Sequence, residues 1–326
     1  MTLSKKGIVF IFLALLAVFF VLLLLLPEGV IGHRDDEVML FVPKLLFLAL
    51  SAAITTIVVL ILIFKRDYMR AQFNTFNRFK YYLRLLVKRD FITKYRKSIL
   101  GVLWSLLNPL LTMFVMTLVF RYLFRFQIPH FAAYILSGQI IFTFFNESTT
   151  LAMTSIIANE GVIRKIYVPK YIFPLSKVIS SLVNLGLSFI AFLIVFIFVG
   201  PPFQWTFLLL PIPIIFVFVF SLGMAMLISS LAVFFRDLTY IYGVLTLLWM
   251  YLTPIFWPIE ILDGIMVQLI GLNPMYQFIY YFRCLTLWGT IPDLWTNMVC
   301  IGFALTSFCA GTFVFMRQQD RYILSM

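Results

Sequence analysis

Long apolar runs alternate along this chain with short polar stretches, several of them rich in lysine and arginine. A helix needs about 20 apolar residues to cross about 30 Å of hydrocarbon. Runs at 8–26, 45–64, 103–120, 131–157, 178–199, 211–235, 238–257 and 295–316 meet that length and predict eight membrane-spanning helices. The stretch 67–98 follows a different rule. There Phe76, Phe79, Leu83 and Leu86 recur at helical spacing among basic residues, the pattern of an amphipathic helix lying flat on a membrane surface. A solvated linker helix would account for the charges but not for the aligned apolar stripe. The segment 258–292 is apolar and aromatic, yet Gly264, Gly271, Asn273-Pro274 and Gly289 interrupt it. It predicts two short helices that dip into the membrane and return at Asn273-Pro274. Irregular backbone at that depth survives only where protein or water surrounds it, so this segment is expected to border a pathway. The expectation is an all-α polytopic membrane protein in three parts: a pair of spans at 1–64, a basic amphipathic region at 65–100, and a six-span core at 101–326.

Composition agrees, since a chain that is 63% hydrophobic cannot hide its apolar surface in a soluble core. The net charge of +12 changes the picture only through its placement. In the predicted topology one side holds 20 of the 25 Lys and Arg but only five of the 13 acids. The excess of cations marks that side as cytoplasmic and places both termini inside. A charge used this way points to membrane topology and away from nucleic acid. The run 8–26 follows Lys5 and Lys6 but is long for a signal-peptide core and ends at Pro27-Glu28 rather than a small-x-small cleavage site, so it is expected to stay as a span. Cys284, Cys300 and Cys309 form no CxxC pair and His33 and His130 stand apart; no metal site is expected, and the cysteines read as buried packing residues.

Candidate chemistry narrows the class further. The sequence has no GxxxxGK[ST] loop, so ATP phosphates cannot be cradled here by a Walker A turn, and an ATP-driven process would need a separate ATPase. Neither a Ser-His-Asp set, an HExxH motif nor paired catalytic carboxylates can be assembled, and Asp35-Asp36 reads as solvated loop charge. Glu147 is an acid well inside a predicted span, flanked by Asn146, Ser148, Thr149 and Thr150. Burial of that charge is unfavourable, so it is expected to face the bundle, a cavity or a cation, with Arg283 a conceivable partner; a position near the outer interface, reached by water, is the other reading. With aromatics at 18% of the chain, stacking surfaces for sugar rings are available in a cluster that includes Phe142, Phe145, Tyr251, Trp257, Tyr276 and Tyr280. With Glu147 and Arg283 these form a candidate glycan channel, although Trp and Tyr at span ends are also the usual interfacial belt.

The segment from Lys88 to Pro109 carries a resemblance. Arg89-Asp90, Tyr95-Arg96-Lys97-Ser98, Leu100-Gly101, Trp104 and Asn108-Pro109 come in order, followed by Asn159 to Lys165, Val168-Pro169, Pro174, Phe235-Arg236-Asp237, Thr253-Pro254-Ile255 and Leu272-Asn273-Pro274 before Arg283. From Asp67 onward this is similar to the permease subunits of ABC-2 type exporters of the O-antigen, capsule and teichoic-acid class. The usual permease has six spans, so residues 1–64 are an addition. The resemblance implies a non-enzymatic membrane subunit in the cytoplasmic membrane of a bacterium, paired with a second copy of itself and with two nucleotide-binding subunits that carry ATP and Mg. It implies coupling to those subunits through Arg89, Asp90, Tyr95 and Arg96, through Glu160, Arg164 and Lys165, and through Arg236-Asp237. It further implies a lipid-linked polysaccharide as cargo, its headgroup drawn to Arg89, Lys94, Arg96 and Lys97, with no cofactor on this chain itself. An ABC-2 exporter of a drug or another lipid would share the span plan. A membrane-embedded glycosyl or acyl transferase is the alternative from a different class, although two scattered His residues argue against it.

Overall fold

The computed structural model describes residues 66–96, 99–262 and 265–322. The two predicted spans within 1–64, and Lys97, lie outside them. Every described regular element is a helix. The first, α1 (Arg66–Tyr95), runs 30 residues without a proline or glycine. A turn in which Gly101 has φ 48°, a conformation that favours glycine, leads into α2 (Leu103–Leu118), prolonged by a π-helical turn at Val119–Leu123. Next come α3 (Phe131–Met153), two single-turn helices α4 (Ser155–Ala158) and α5 (Glu160–Ile163), and the long α6 (Ile172–Val199). A 3-10 turn (Trp205–Leu209) precedes α7 (Pro211–Phe234), whose first-turn proline needs no amide partner. Then follow α8 (Leu238–Leu252), α9 (Ile265–Gly271), α10 (Pro274–Arg283) with a π-helical continuation at Cys284–Trp288, and α11 (Leu294–Gln318).

Among the described residues four helices are long and apolar enough to cross a membrane: Leu103–Leu123, Ile172–Val199, Trp205–Phe234 and Leu294–Arg321. The stretch predicted as one span at 131–157 breaks after Met153, where Thr154 leaves the helix. Its 23 residues still reach about 34 Å, but Ser137, Gln139, Asn146, Glu147 and Ser148 to Thr150 lower its apolar character. The stretch predicted at 238–257 ends at Leu252 because Pro254 forces the residue before it into extended backbone; Thr253 has ψ 130°.

The centre of the bundle is α3, which packs against α2, α6, α7, α8 and α10. The most extensive helix pairing is α7 with α11. There the backbones approach so closely that a Cβ at Gly223 would collide with the backbone of Ser307 and Phe308, and one at Gly311 with Gly223. Ser307 Oγ also donates to the Phe220 carbonyl at 2.9 Å. Small residues that admit backbone contact are a recurrent means of helix pairing in membranes.

Cross-chain contacts define two ends of this bundle. Lys170 reaches the Gln319 carbonyl, Ser230 Oγ donates to Gln318 at 3.3 Å, and the Phe234 and Tyr322 rings lie 6.0 Å apart. These contacts gather the α5–α6 loop, the end of α7 and the end of α11 into one basic end. At the opposite end His130 Nδ1 meets the Val199 carbonyl at 2.5 Å, Tyr134 donates to the Trp257 carbonyl at 3.2 Å, and Thr206 donates to that of Leu285 at 2.7 Å.

The apolar stripe of α1 finds a different environment from the leaflet expected for it. Leu83 and Leu86 are buried in the protein core, with Phe76 and Phe79 packed against it, and the Tyr82 ring meets Phe173 edge-on at 6.4 Å. The stripe therefore binds the bundle, mainly α6, while Tyr81, Leu85 and Ile92 are exposed. Periodicity identifies which residues share a face; it cannot say whether lipid or protein covers that face.

A candidate coupling and headgroup site at the basic end

The stripe of α1 turns polar in its last two turns, and there it carries ion pairs instead of apolar contacts. Asp90 accepts from Lys177 of α6 at 2.7 Å, both side chains being mostly buried, and from the neighbouring Arg89 at 3.3 Å. One turn on, Lys94 reaches Glu147 of α3 at 2.6 Å. The same carboxylate oxygen, Oε1, accepts from Asn184 Nδ2 at 2.8 Å, and Asn184 Oδ1 in turn accepts from the Tyr95 hydroxyl at 3.0 Å. Tyr95 also shares a short hydrogen bond with Ser105 of α2. One polar chain thus ties α1, α2, α3 and α6 together. The partner of Glu147 is Lys94, not Arg283. Spacing alone could not find it, because the two residues lie 53 positions apart.

The other candidate coupling residues are more open. Glu160 and Arg164 pair with each other at 2.6 Å across one helical turn, and Lys165 is exposed beside them. Ile166 and Tyr167 project with 60% and 90% of their surface free. Arg236 and Asp237 are both exposed in the turn between α7 and α8, and the Asp237 side chain makes no capping bond. Arg96 is exposed at the end of α1, as are Arg89 and Lys94. At the root of the α5–α6 loop Lys170 is tied back to the Gln319 carbonyl. Burial pulls its ammonium below the usual lysine range, partly offset by Asp320.

The candidate channel residues do not form one lining. Phe142 and Phe145 are buried in the protomer's own core, where the Phe145 ring packs on Phe220 and Trp249. Glu147 belongs to the basic end, whereas Arg283 is bound thirteen residues earlier on α3, at Tyr134, a separation of about 20 Å along that helix. Arg283 is 2% exposed and has no carboxylate partner among the described residues. It donates to the carbonyls of Pro254 (2.8 Å), Tyr134 (3.1 Å) and Ile255 (3.2 Å) and to Ser137 Oγ (3.2 Å), with its guanidinium 3.5 Å from the Tyr134 ring centre. Tyr276, Tyr280 and Trp288 form a ladder of rings 5.9 and 5.5 Å apart. Trp257 donates to the Tyr251 carbonyl at 3.2 Å, and the Tyr251 ring itself is exposed.

Sequence reasoning passed over two residues on which these arrangements depend, and saw of a third, Asn273, only that it marks a turn. Lys177 and Asn184 hold α1. Asn273 holds the α9–α10 turn: it caps α10 through Met275 N (3.0 Å), accepts from Trp249 Nε1 (2.8 Å) and donates to Thr253 Oγ1 (2.8 Å). A lone asparagine inside an apolar run was the available signal for Asn184. The Asn273→Ala substitution is expected to lower stability by about 2 kcal/mol, since it removes a cap, leaves the Trp249 indole N–H without its acceptor and takes a donor from the buried Thr253 hydroxyl. Thermal unfolding of the purified protein would check this, with Asn273→Asp, which keeps the cap, giving a smaller loss.

Among the described residues, an all-helical bundle with at least four helices long and apolar enough to cross a membrane defines a multi-pass membrane protein. The chain belongs to the ABC-2 type transporter family, whose model matches residues 81–287. It is 31% identical over 247 residues to the O-antigen export system permease protein RfbA of Klebsiella pneumoniae, covering 74% of this chain and 93% of that relative. The RfbA permease protein of Myxococcus xanthus is 26% identical over 243 residues, covering 74% of this chain and 94% of its own length. The capsule polysaccharide export inner-membrane protein CtrC of Neisseria meningitidis is 25% identical over 203 residues, or 61% of this chain and 76% of that protein.

Proposed function

We propose that this chain is the membrane subunit of an ATP-driven exporter that moves a lipid-linked polysaccharide across the cytoplasmic membrane of a bacterium. Two copies pair, and each rests on a separate ATPase subunit that binds ATP and Mg. In this reading α2, α3, α6, α7, α8 and α11 are the six spans of the core, and α9–α10 is the re-entrant segment of the outer leaflet. Both termini are cytoplasmic, and the added pair of spans at 1–64 precedes α1. The observation that carries the reading is the basic end itself. There a cationic helix is bolted to α3 and α6 by Asp90–Lys177 and Lys94–Glu147–Asn184, and the turns at 160–167 and 236–237 carry exposed charges. Such turns between long rigid helices can pass on a push from an ATPase without absorbing it. The names of the relatives, concerned with O-antigen and capsule export, support the glycan as cargo. The absence of a Walker A loop from the sequence supports a separate ATPase.

Co-purification in mild detergent tests this. Recovery of two copies of the chain with two ATPase subunits is the expected result, followed by ATP-dependent export of lipid-linked glycan from reconstituted vesicles. A chain that purifies with no ATPase would overturn the proposal, and export of small amphiphiles in place of glycan would move the cargo to the drug or lipid class.

A further inference from the structure

The two ion pairs that hold α1 differ in a way that assigns them different tasks. In Asp90–Lys177 the side chains are only 16% and 17% exposed, whereas in Lys94–Glu147 they are 21% exposed for Glu147 and 44% for Lys94. The first pair is the more buried; in the second the Lys94 side chain is open to the outside of the bundle. We propose that Glu147 is an internal stand-in for an anionic headgroup: it holds Lys94 until a phosphate or pyrophosphate ester takes the ammonium over, and that exchange releases the last turn of α1. This rests on the reading of the chain as an exporter of a lipid-linked substrate and names the step by which the substrate's headgroup is sensed.

Three features of the geometry support the exchange. First, the carboxylate is not abandoned when Lys94 leaves, because Asn184 Nδ2 remains on the same oxygen at 2.8 Å and Asn184 is itself fixed by Tyr95. Second, the end of α1 is rich in cations that carry no ion pair among the described residues, Lys88 and Arg96. A phosphate ester brings more charge and more acceptor oxygens than one carboxylate, so it can collect Lys94 together with one of these neighbours. Third, the consequence is transmitted. Tyr95 follows Lys94 directly and bonds both Ser105 of α2 and Asn184 of α6, and Gly101 turns the chain from α1 into α2. Displacement of Lys94 therefore acts at once on two spans, while Asp90–Lys177 keeps α1 from leaving.

The test uses the full-length chain in nanodiscs of zwitterionic phosphatidylcholine, titrated with farnesyl pyrophosphate as a lipid-borne anion and with inorganic pyrophosphate as a free one. The readouts are the dissociation constant and amide hydrogen exchange at residues 90–95. Farnesyl pyrophosphate is expected to bind and to speed exchange there. Glu147→Gln is expected to bind it about tenfold more tightly, because the competing carboxylate no longer occupies the lysine for most of the time. Lys94→Gln is expected to lose the exchange response. A stronger response to farnesyl than to inorganic pyrophosphate identifies a lipid headgroup; an equal response identifies a soluble phosphate and overturns the lipid assignment. Unchanged affinity in Glu147→Gln, with no exchange response in the unmodified protein, would show the pair to be structural only. Should Glu147→Gln fail to fold, the charge-swapped K94E/E147K variant re-forms the pair but leaves a glutamate on α1. Such a variant must fold and yet lose the anion response; if it keeps the response, the proposal is wrong. Loss of the response with export intact would leave the exporter reading standing, whereas absence of an ATPase partner would remove that reading and leave the anion measurement unaffected.

Discussion

The Gly223→Leu substitution is expected to lower stability by about 3 kcal/mol or more, at the upper end of what overpacking does in ordinary cores. The side chain would have to enter space held by the backbone of Ser307 and Phe308, and the facing Gly311 leaves no slack because its own Cβ position runs into Gly223. No flexible side chain stands at the contact, so relief requires α7 and α11 to move apart. Helix pairing in a membrane rests on van der Waals packing and hydrogen bonds, not on exclusion of water. Separation would therefore forfeit most of what joins these two helices, including the Ser307–Phe220 bond. Denaturant or thermal unfolding of the purified protein would measure the loss. Gly186→Ala is the control: nothing lies within 4 Å of that Cβ position, and alanine should gain a few tenths to about 1 kcal/mol in a helix interior.

The second large effect is expected at Arg283. Replacement by methionine would remove the guanidinium N–H groups that the carbonyls of Pro254, Tyr134 and Ile255 and the Ser137 hydroxyl now receive. Hydrogen bonds from a charged donor contribute about 1.5–3 kcal/mol each, so a loss of about 3 kcal/mol is a conservative expectation after local relaxation. The informative comparison is Arg283→Lys. If charge alone mattered, lysine would rescue. A single ammonium cannot span acceptors on α3 and on the extended segment after α8, nor lie flat on the Tyr134 ring, so lysine is expected to recover less than half of the loss. Thermal unfolding of the three proteins side by side decides the matter. Gly138→Ala should give a milder version of the same defect, because its Cβ would stand 2.9 Å from Arg283 Nη2.

These sites show where a sequence speaks and where it falls silent. The apolar runs at 103–120, 178–199, 211–235 and 295–316, the α1 stripe and the boundary at Asn273-Pro274 are local patterns, and each corresponds to an observed helix or helix boundary. The ends of the spans were harder to read. Pro254 was visible, but that α8 would stop at Leu252 depends on a preference of the preceding residue competing with a continuous apolar run. Partners were the least legible. Lys94 and Glu147, Arg283 and Tyr134, and Gly223 and Gly311 are separated by 53, 149 and 88 positions. Nothing in the neighbourhood of either member names the other. Glu147 was recognisable as an acid in need of a cation, and the chemistry of that inference was sound. Choosing between Arg283 and Lys94 required knowing which end of α3 each one meets.

The knot at Asn273 has a consequence for motion. Its one side chain joins Trp249 near the end of α8, Thr253 in the extended link and the first turn of α10, and Arg283 grips the same link through Pro254 and Ile255. The C-terminal end of α8 and the α9–α10 turn therefore belong to one rigid block. Any rearrangement that tilts α8 must swing that turn along with it.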